Sequence, residues 1–241
     1  MEEQIAHPPI ASKEEWTKAR VELLKREKEH TREGDRINAA RRRLPMVEVT
    51  KEYVFDTNEG KKTLLELFDG RRQLIVYHFM LGPGWEKPCP GCSGYIAAFG
   101  DISDLADKDI SWVMVSRAPL DEINKVKADK GWDRPWHSSF GSDFNYDYHA
   151  SLDADVTPIE YNYEPMEAFA NGRTPEQMKG ETPGNSVFFR IGDKIYHTYS
   201  SYARGGESLV HSYALMDITP YGRQQEFEDS PEGWPQKPTY G

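Results

Sequence analysis

The sequence predicts an α/β fold, a central mixed sheet with helices on both faces, from three observations. Two unbroken apolar runs, residues 74–81 and 110–115, are rich in β-branched and aromatic side chains and read as buried parallel strands. Each is followed by apolar residues at three- and four-residue steps, over a length that lets the chain return parallel. Residues 186–191 and 194–199 are strand-like and flank Gly192-Asp193, a two-residue hairpin signal that adds antiparallel strands.

The elements follow in order. Residues 12–43 read as a helix in two pieces. Ser12 with Glu15 has the form of a capping box, Trp16, Ala19 and Leu23 share a face, and Glu33-Gly34-Asp35 interrupts it before Pro45 stops it. The cluster Arg41-Arg42-Arg43 suits a helix C-terminus, where cations complement the dipole. From Val47 the period changes to two, through Val49, Tyr53 and Phe55. Leu64, Leu65, Leu67 and Phe68 then form a short helical turn closed by Asp69-Gly70. After the first apolar run, Tyr95, Ala98, Phe99, Ile102, Leu105 and Ala106 mark one buried helical stripe, bent at Gly100. Pro119 suits the first turn of the next helix, Leu120, Ile123 and Val126 share its face, and Gly131 is its C-cap. Residues 132–182 carry no sustained period beyond a short strand-like piece at 136–140. Their aromatics (Phe144, Tyr146, Tyr148, Tyr161, Tyr163 and Phe169) mark an ordered insertion. Leu209, Val210, Tyr213, Ala214 and Met216 predict a last helix. The expected organisation is an N-terminal helical arm (1–46), one domain (47–220) and a polar surface tail (221–241).

Composition narrows the function classes. A formal net charge of −10 over 241 residues argues against binding a phosphate backbone, so no nucleic-acid partner is expected. No run reaches the roughly 18 apolar residues of a membrane span, and no membrane partner is expected. The start, Met1-Glu-Glu-Gln, has neither a basic n-region nor an apolar h-region. Two cysteines in a chain of this size make no disulfide scaffold, so a reducing, cytoplasmic setting is expected. The helical arm has its own domain or a second subunit to dock on, which leaves a homo-oligomer open.

Those two cysteines carry the chemistry. Cys89-Pro-Gly-Cys92 leaves the apolar run through a Gly/Pro-rich loop and enters a helix, the pattern of a dithiol–disulfide site. Cys89 is placed as the nucleophile, at a helix start where unpaired N–H groups and the dipole favour a thiolate. Lys87 stands close enough in sequence to add to that effect. Cys92, about one turn inside, is placed as the resolving thiol. Pro90 suits the N1 position, and Trp85 is a candidate substrate contact that also suits simple loop packing. The partner is a protein or small-molecule thiol or disulfide, and neither cofactor nor metal is expected.

The element order matches the thioredoxin fold, and the chain also resembles a known family. Tyr77-His-Phe-Met80, Gly82-Pro-Gly-Trp85, Cys89-Pro-Gly-Cys-Ser93, Val115-Ser-Arg-Ala-Pro-Leu120 and Gly141-Ser-Asp-Phe-Asn-Tyr146 are similar to motifs of that family. So are His197-Thr-Tyr-Ser-Ser-Tyr-Ala-Arg-Gly205 and Leu215-Met-Asp-Ile-Thr-Pro-Tyr-Gly-Arg223. It is a bacterial thioredoxin-like family labelled domain of unknown function 899 and described as predicted dithiol–disulfide oxidoreductases. The resemblance runs from the N-terminal helix to about Arg223. It implies a thioredoxin-like domain with a redox-active Cys pair. It also implies a proline before the later strand that is cis and faces the pair, a role that falls to Pro183 with Thr182 before it. Thioredoxins proper carry a buried acid at the end of the strand preceding the pair. This chain offers Tyr77 or His78 there, and His78 is the candidate proton relay, against the plain alternative of a core histidine bonded to backbone.

Three other readings compete. A peroxiredoxin site of the form Pro-x-x-x-Thr-x-x-Cys would need proline and threonine where Gly82 and Glu86 stand, which disfavours it. Zinc could use Cys89 and Cys92 with two histidines from among His78, His137, His149, His197 and His211, but no pair has ligand spacing. A thioredoxin-like binding module with a structural or vestigial Cys pair is the third.

Overall fold

The strand Gln73–His78 (β4) sits in the middle of the sheet because every residue from Leu74 to Met80 is apolar or aromatic except His78. In the computed structural model, which describes residues 5–237, the other elements gather around it. In order they are α1 (Lys13–Arg41), β1 (Val47–Glu48), β2 (Val54–Thr57), β3 (Gly60–Thr63), a 3₁₀ turn (Glu66–Phe68), β4, α2 (Pro90–Ala97), α3 (Asp104–Asp107), β5 (Ile110–Ser116) and α4 (Leu120–Lys130). Then come β6 (Trp136–Ser138), α5 (Phe144–Asp147), β7 (Ser151–Leu152), β8 (Glu160–Tyr161), β9 (Glu164–Pro165), α6 (Met166–Phe169), α7 (Pro175–Met178) and β10 (Gly180–Glu181). The long hairpin β11 (Gly184–Ile191) and β12 (Lys194–Tyr202), a second 3₁₀ segment (Ala203–Leu209) and α8 (His211–Asp217) complete the chain.

The main sheet runs β1-β12-β11-β4-β5-β6-β2-β3. β4, β5 and β6 are parallel, and β11 pairs antiparallel with both β4 and β12. The thioredoxin-like fold is this core: strand, Cys-bearing helix, parallel strand, helix, then an antiparallel hairpin on the other side of the first strand. Alternation along each strand divides the core into two layers. Leu74 and Val76 of β4 join Val113 and Val115 of β5 beneath Phe55, Phe68, Phe144 and Phe188. Tyr77, Phe79, Trp112 and Met114 face the other way, toward Cys92 and Ile96 of α2 and Ile123 of α4. The cysteine helix is therefore held by the second layer.

Several elements differ from the sequence expectations. Residues 136–138 belong to the main sheet as its third parallel strand, with Met114 opposite Trp136, so the irregular region begins after them. The helical stripe after the cysteines is two helices: α2 ends at Ala97, and Ser103–Asp104 opens α3. The last helix is likewise split, with the 3₁₀ segment ending at Leu209 before α8 begins at His211.

The chain forms two compact units, residues 46–211 and residues 1–45 with 212–241. In the second unit α1 is one continuous helix and not two. Ser12 and Glu15 close its capping box, and Arg36 spans the interruption expected at Gly34 by bridging Glu33 at 2.6 Å and Glu29 at 2.6 Å. The Glu33–Arg36 pair, three residues apart, offsets part of the cost of about 1 kcal/mol that glycine carries in a helix. Within the described part of the tail, Tyr221 packs edge-on to Trp234 at 5.3 Å, and Arg223 pairs with Asp217 at 2.7 Å. Among the described residues no helix is long and apolar enough to cross a membrane.

Candidate functional site

The loop after β4 is shaped before it reaches the cysteines. Phe79 N–H bonds Val115 O at 2.9 Å and Leu81 O accepts from Ala118 N–H at 2.9 Å, so the chain leaves the sheet alongside the exit of β5. Gly82-Pro83-Gly84-Trp85 then turns back, with Trp85 N–H donating to Gly82 O at 3.2 Å and Gly84 at φ +75°. Proline at the second position and a left-handed glycine at the third are what a type II turn requires. Glu122, in the first turn of α4, accepts the Gly84 N–H at 3.0 Å and anchors the turn. The Trp85 ring lies over Gly82 and is 40% exposed, so it packs the loop and faces solvent at once.

Cys89 is the N-cap of α2 and Pro90 its first residue. Its N–H bonds Met80 O at 3.3 Å, and its carbonyl accepts from Ser93 N–H at 3.0 Å and Ser93 Oγ at 2.9 Å, which fixes the helix start. Its sulfur accepts from the Cys92 N–H at 3.4 Å, the place a capping oxygen normally fills. Cys92 is 2% exposed, and its sulfur accepts from the Met80 N–H at 3.5 Å. Both cysteines are free thiols.

The electrostatics separate the two sulfurs. The Cys92 thiol, and then the N–H groups of Cys92 and Gly91, stabilise a Cys89 thiolate and lower its pKa to about 6 against the opposing effect of burial. Lys87 is not among the groups that act on it. Cys92 is pushed far up, first by its hydrogen bond to Cys89 and then by burial, with only Tyr77 and the Met80 N–H pulling the other way. The arrangement can present one thiolate to a partner while a second, protonated thiol waits behind it.

His78 is not at the cysteines. Its neighbour Tyr77 takes the face that α2 covers, and strand alternation turns His78 to the opposite layer. There it is fully buried, stacks on Phe144 at 5.5 Å and shares a hydrogen bond with Ser186 Oγ at 2.9 Å. On β4 the residue that faces the layer of the cysteine helix is Tyr77 and not His78. An apolar run marks the strand but not which face the next helix will cover, so spacing alone could not choose between them.

Thr182 is tied on both sides, by its N–H to Ala150 O at 2.9 Å and by Oγ1 to His149 O at 2.8 Å. Pro183 follows, and Gly184 then enters β11 opposite His78, which puts Pro183 at the sheet edge where β4 runs out into the cysteine loop. Among the described residues no peptide bond is cis, so the cis geometry expected of Pro183 is absent. With Glu181 paired to Ser151 and Gly184 paired to β4, the segment passes from one ladder to the next in an extended trans path. Beside it, Arg117 at the end of β5 donates to the buried Glu181 at 2.8 Å and to Tyr146 Oη, links between segments far apart in sequence. Among the described residues no group of three or more His, Cys, Asp or Glu side chains is placed to hold a metal ion.

Comparison with known proteins adds the following. A search of curated protein sequences finds no match. Among solved structures, a mutant of PrxQ from Xylella fastidiosa is 12% identical over 68% of this chain and 88% of its own, with a TM-score of 0.42. Peroxidoxin BcpB from Mycobacterium tuberculosis is 12% identical over 73% of this chain and 97% of its own, at 0.41. BsSco, a member of the Sco family of cytochrome c oxidase assembly proteins, is 10% identical over 70% and 92%, at 0.38. The model of one family, described as bacterial protein of unknown function (DUF899), matches residues 5–240, and the chain belongs to that family.

Proposed function

We propose that the protein is a thiol–disulfide oxidoreductase in which Cys89 attacks and Cys92 resolves. The observation that carries this reading is the Cys92 N–H aimed at a half-buried Cys89 sulfur, with the Cys92 thiol buried behind it. A buried structural cysteine has no need of a lowered pKa, whereas an attacking one does.

In the forward direction the Cys89 thiolate attacks one sulfur of a substrate disulfide. The substrate S–S bond breaks, one half leaves as a thiolate that takes a proton from water, and the other stays as a mixed disulfide on Cys89. Cys92 gives up its proton and attacks the Cys89 sulfur. The second half departs and takes that proton, and a Cys89–Cys92 disulfide remains. The substrate gains two electrons and the protein loses two, so an external thiol or dithiol must restore it. The same steps run backwards oxidise a dithiol, with the direction set by the partners' potentials. Trp85, at the rim of the loop, and the Thr182-Pro183 segment are the proposed contacts for a protein or small-molecule disulfide.

Reduction of insulin disulfides driven by dithiothreitol tests the reading. Wild type should accelerate it and Cys89→Ser should not. Equal rates for the two, or none with either, would leave a thioredoxin-like binding module in its place.

A further inference from the structure

At Met80 the chain stops pairing as a strand and bonds the cysteines instead. Phe79 N–H and Leu81 O bond toward β5, to Val115 O and Ala118 N–H, both at 2.9 Å. Bonding along a strand alternates sides, so the N–H and C=O of Met80 face the β11 side. The last pair of β11 with β4 there is Gly184 opposite His78, and two residues further in that register Thr182 would stand opposite Met80. Pro183 has no N–H, and the Thr182 N–H goes to Ala150 O at 2.9 Å instead. The rung is filled from the cysteine segment. Met80 O accepts the Cys89 N–H at 3.3 Å, and the Met80 N–H donates to the Cys92 sulfur at 3.5 Å.

The second step of the exchange needs such a donor. Cys92 must become a thiolate to attack the mixed disulfide, yet it is 2% exposed, and burial disfavours charge. We infer that the Met80 backbone N–H is the catalytic donor of the resolving step, stabilising charge on the Cys92 sulfur as that sulfur attacks Cys89. This rests on the redox reading above and adds to it the group that makes a buried thiolate attainable. Met80 keeps its proton throughout. Cys92 loses its own proton, and its sulfur bonds Cys89 as the bond from Cys89 to the substrate breaks. The departing substrate thiolate carries that proton away, so the step balances without a further acid or base. One strand residue thereby serves both cysteines: its carbonyl fixes where Cys89 stands, and its N–H acts on Cys92. The region after β6 also gains a part in the site, because the bond from Thr182 to Ala150 keeps Thr182 off the Met80 rung.

A side-chain change cannot delete a backbone donor. Incorporating the α-hydroxy acid analogue of methionine at position 80 does so, replacing the amide by an ester and keeping the side chain. Reaction of the reduced protein with stoichiometric 5,5′-dithiobis(2-nitrobenzoate) separates the two steps. The first thionitrobenzoate released reports attack by Cys89, and the second reports resolution by Cys92. In the ester variant the first release should stay within about twofold of wild type and the second should slow about tenfold, as loss of a hydrogen bond to a charged group implies. Met80→Leu keeps the N–H and should give both releases at wild-type rates. The ester also weakens the Phe79 carbonyl, which accepts from Ser116 Oγ at 2.6 Å, so Ser116→Ala is the control and should resolve at the wild-type rate. An unchanged second release in the ester variant, or equal slowing in Met80→Leu or Ser116→Ala, would overturn the assignment. A second measurement does not depend on the ester variant folding. With isotope-labelled methionine amides, the Met80 amide proton of the reduced protein should move upfield in Cys92→Ala, and an unmoved resonance would overturn the assignment as well. Failure of the wild type to give a second release at all would instead overturn the redox reading beneath it.

Discussion

The Cys92 backbone N–H points at the Cys89 sulfur across 3.4 Å, so the residue that resolves also stabilises the charge on the residue that attacks. With the pKa of Cys89 lowered to about 6 and that of Cys92 pushed up, alkylation should be selective. Iodoacetamide should modify Cys89 with a rate midpoint near pH 6 and leave Cys92 unmodified at neutral pH, as read by mass spectrometry. The same shift has a stability sign. A thiol whose pKa is depressed on folding stabilises the reduced protein above the unfolded value of about 8.5 and loses that contribution as pH falls through about 6. Relative to Cys89→Ser, the reduced wild type should therefore gain stability as pH rises between those values. A rate midpoint near 8.5 would remove both expectations.

The turn before the cysteines contains two glycines that should respond differently. At Gly84 the backbone is left-handed, φ +75°, and a side chain there is strained whatever the space, so Gly84→Ala should cost about 1 kcal/mol. At Gly82 the backbone is ordinary, but an added Cβ would lie 2.7 Å from the Trp85 Nε1. Because Trp85 is partly exposed it can swing away, so Gly82→Ala should leave stability nearly unchanged while shifting Trp85 emission to the red. Thermal unfolding and the fluorescence difference from a Trp85→Phe background measure the two effects. Equal losses of stability would mean that the Trp85 ring is held as firmly as the turn.

The parts of this fold that could be read from sequence are those with dense local signals. Residues 74–81 and 110–115 are apolar without interruption, and the Gly192-Asp193 turn fixes its own hairpin. The helix start at Cys89 also carries its signal locally, in Pro90 and the two-residue spacing. What could not be read depends on partners remote in the chain. β6 is strand-like in sequence, but its place as the third parallel strand depends on pairing with β5. Glu122 anchors a turn 38 residues away, and Arg117 meets Glu181 across 64. The choice between Tyr77 and His78 is of the same kind, because it depends on which layer α2 covers.

Breaking the Arg117–Glu181 pair by removing one partner should be costly for this region. Glu181 is 3% exposed at its side chain and also accepts from Ser151 Oγ, whereas Arg117 is 26% exposed. Arg117→Ala removes the cation and leaves a buried carboxylate without it, at a cost of about 3 kcal/mol. Removing both charges in Arg117→Ala with Glu181→Ala should cost less than the two single changes added together. Urea unfolding of the four proteins in a double-mutant cycle gives the coupling directly. Simple additivity would show that the pair is a surface contact energetically.

His78 should make the protein acid-labile. It is wholly buried, and burial lowers its pKa to about 3, against about 6.5 in an unfolded chain. Between those values the unfolded chain binds a proton that the folded protein does not, so stability falls as pH falls. His137, lowered to about 4 chiefly by burial, acts with the same sign. Each histidine should account for about 2 kcal/mol of lost stability between pH 7 and pH 5. In His78→Gln, which keeps a side chain able to bond Ser186, about half of that pH dependence should vanish even if the variant is less stable overall. Urea midpoints at the two pH values decide it. An unchanged difference between them would mean that His78 takes up a proton as readily in the folded protein as in the unfolded chain.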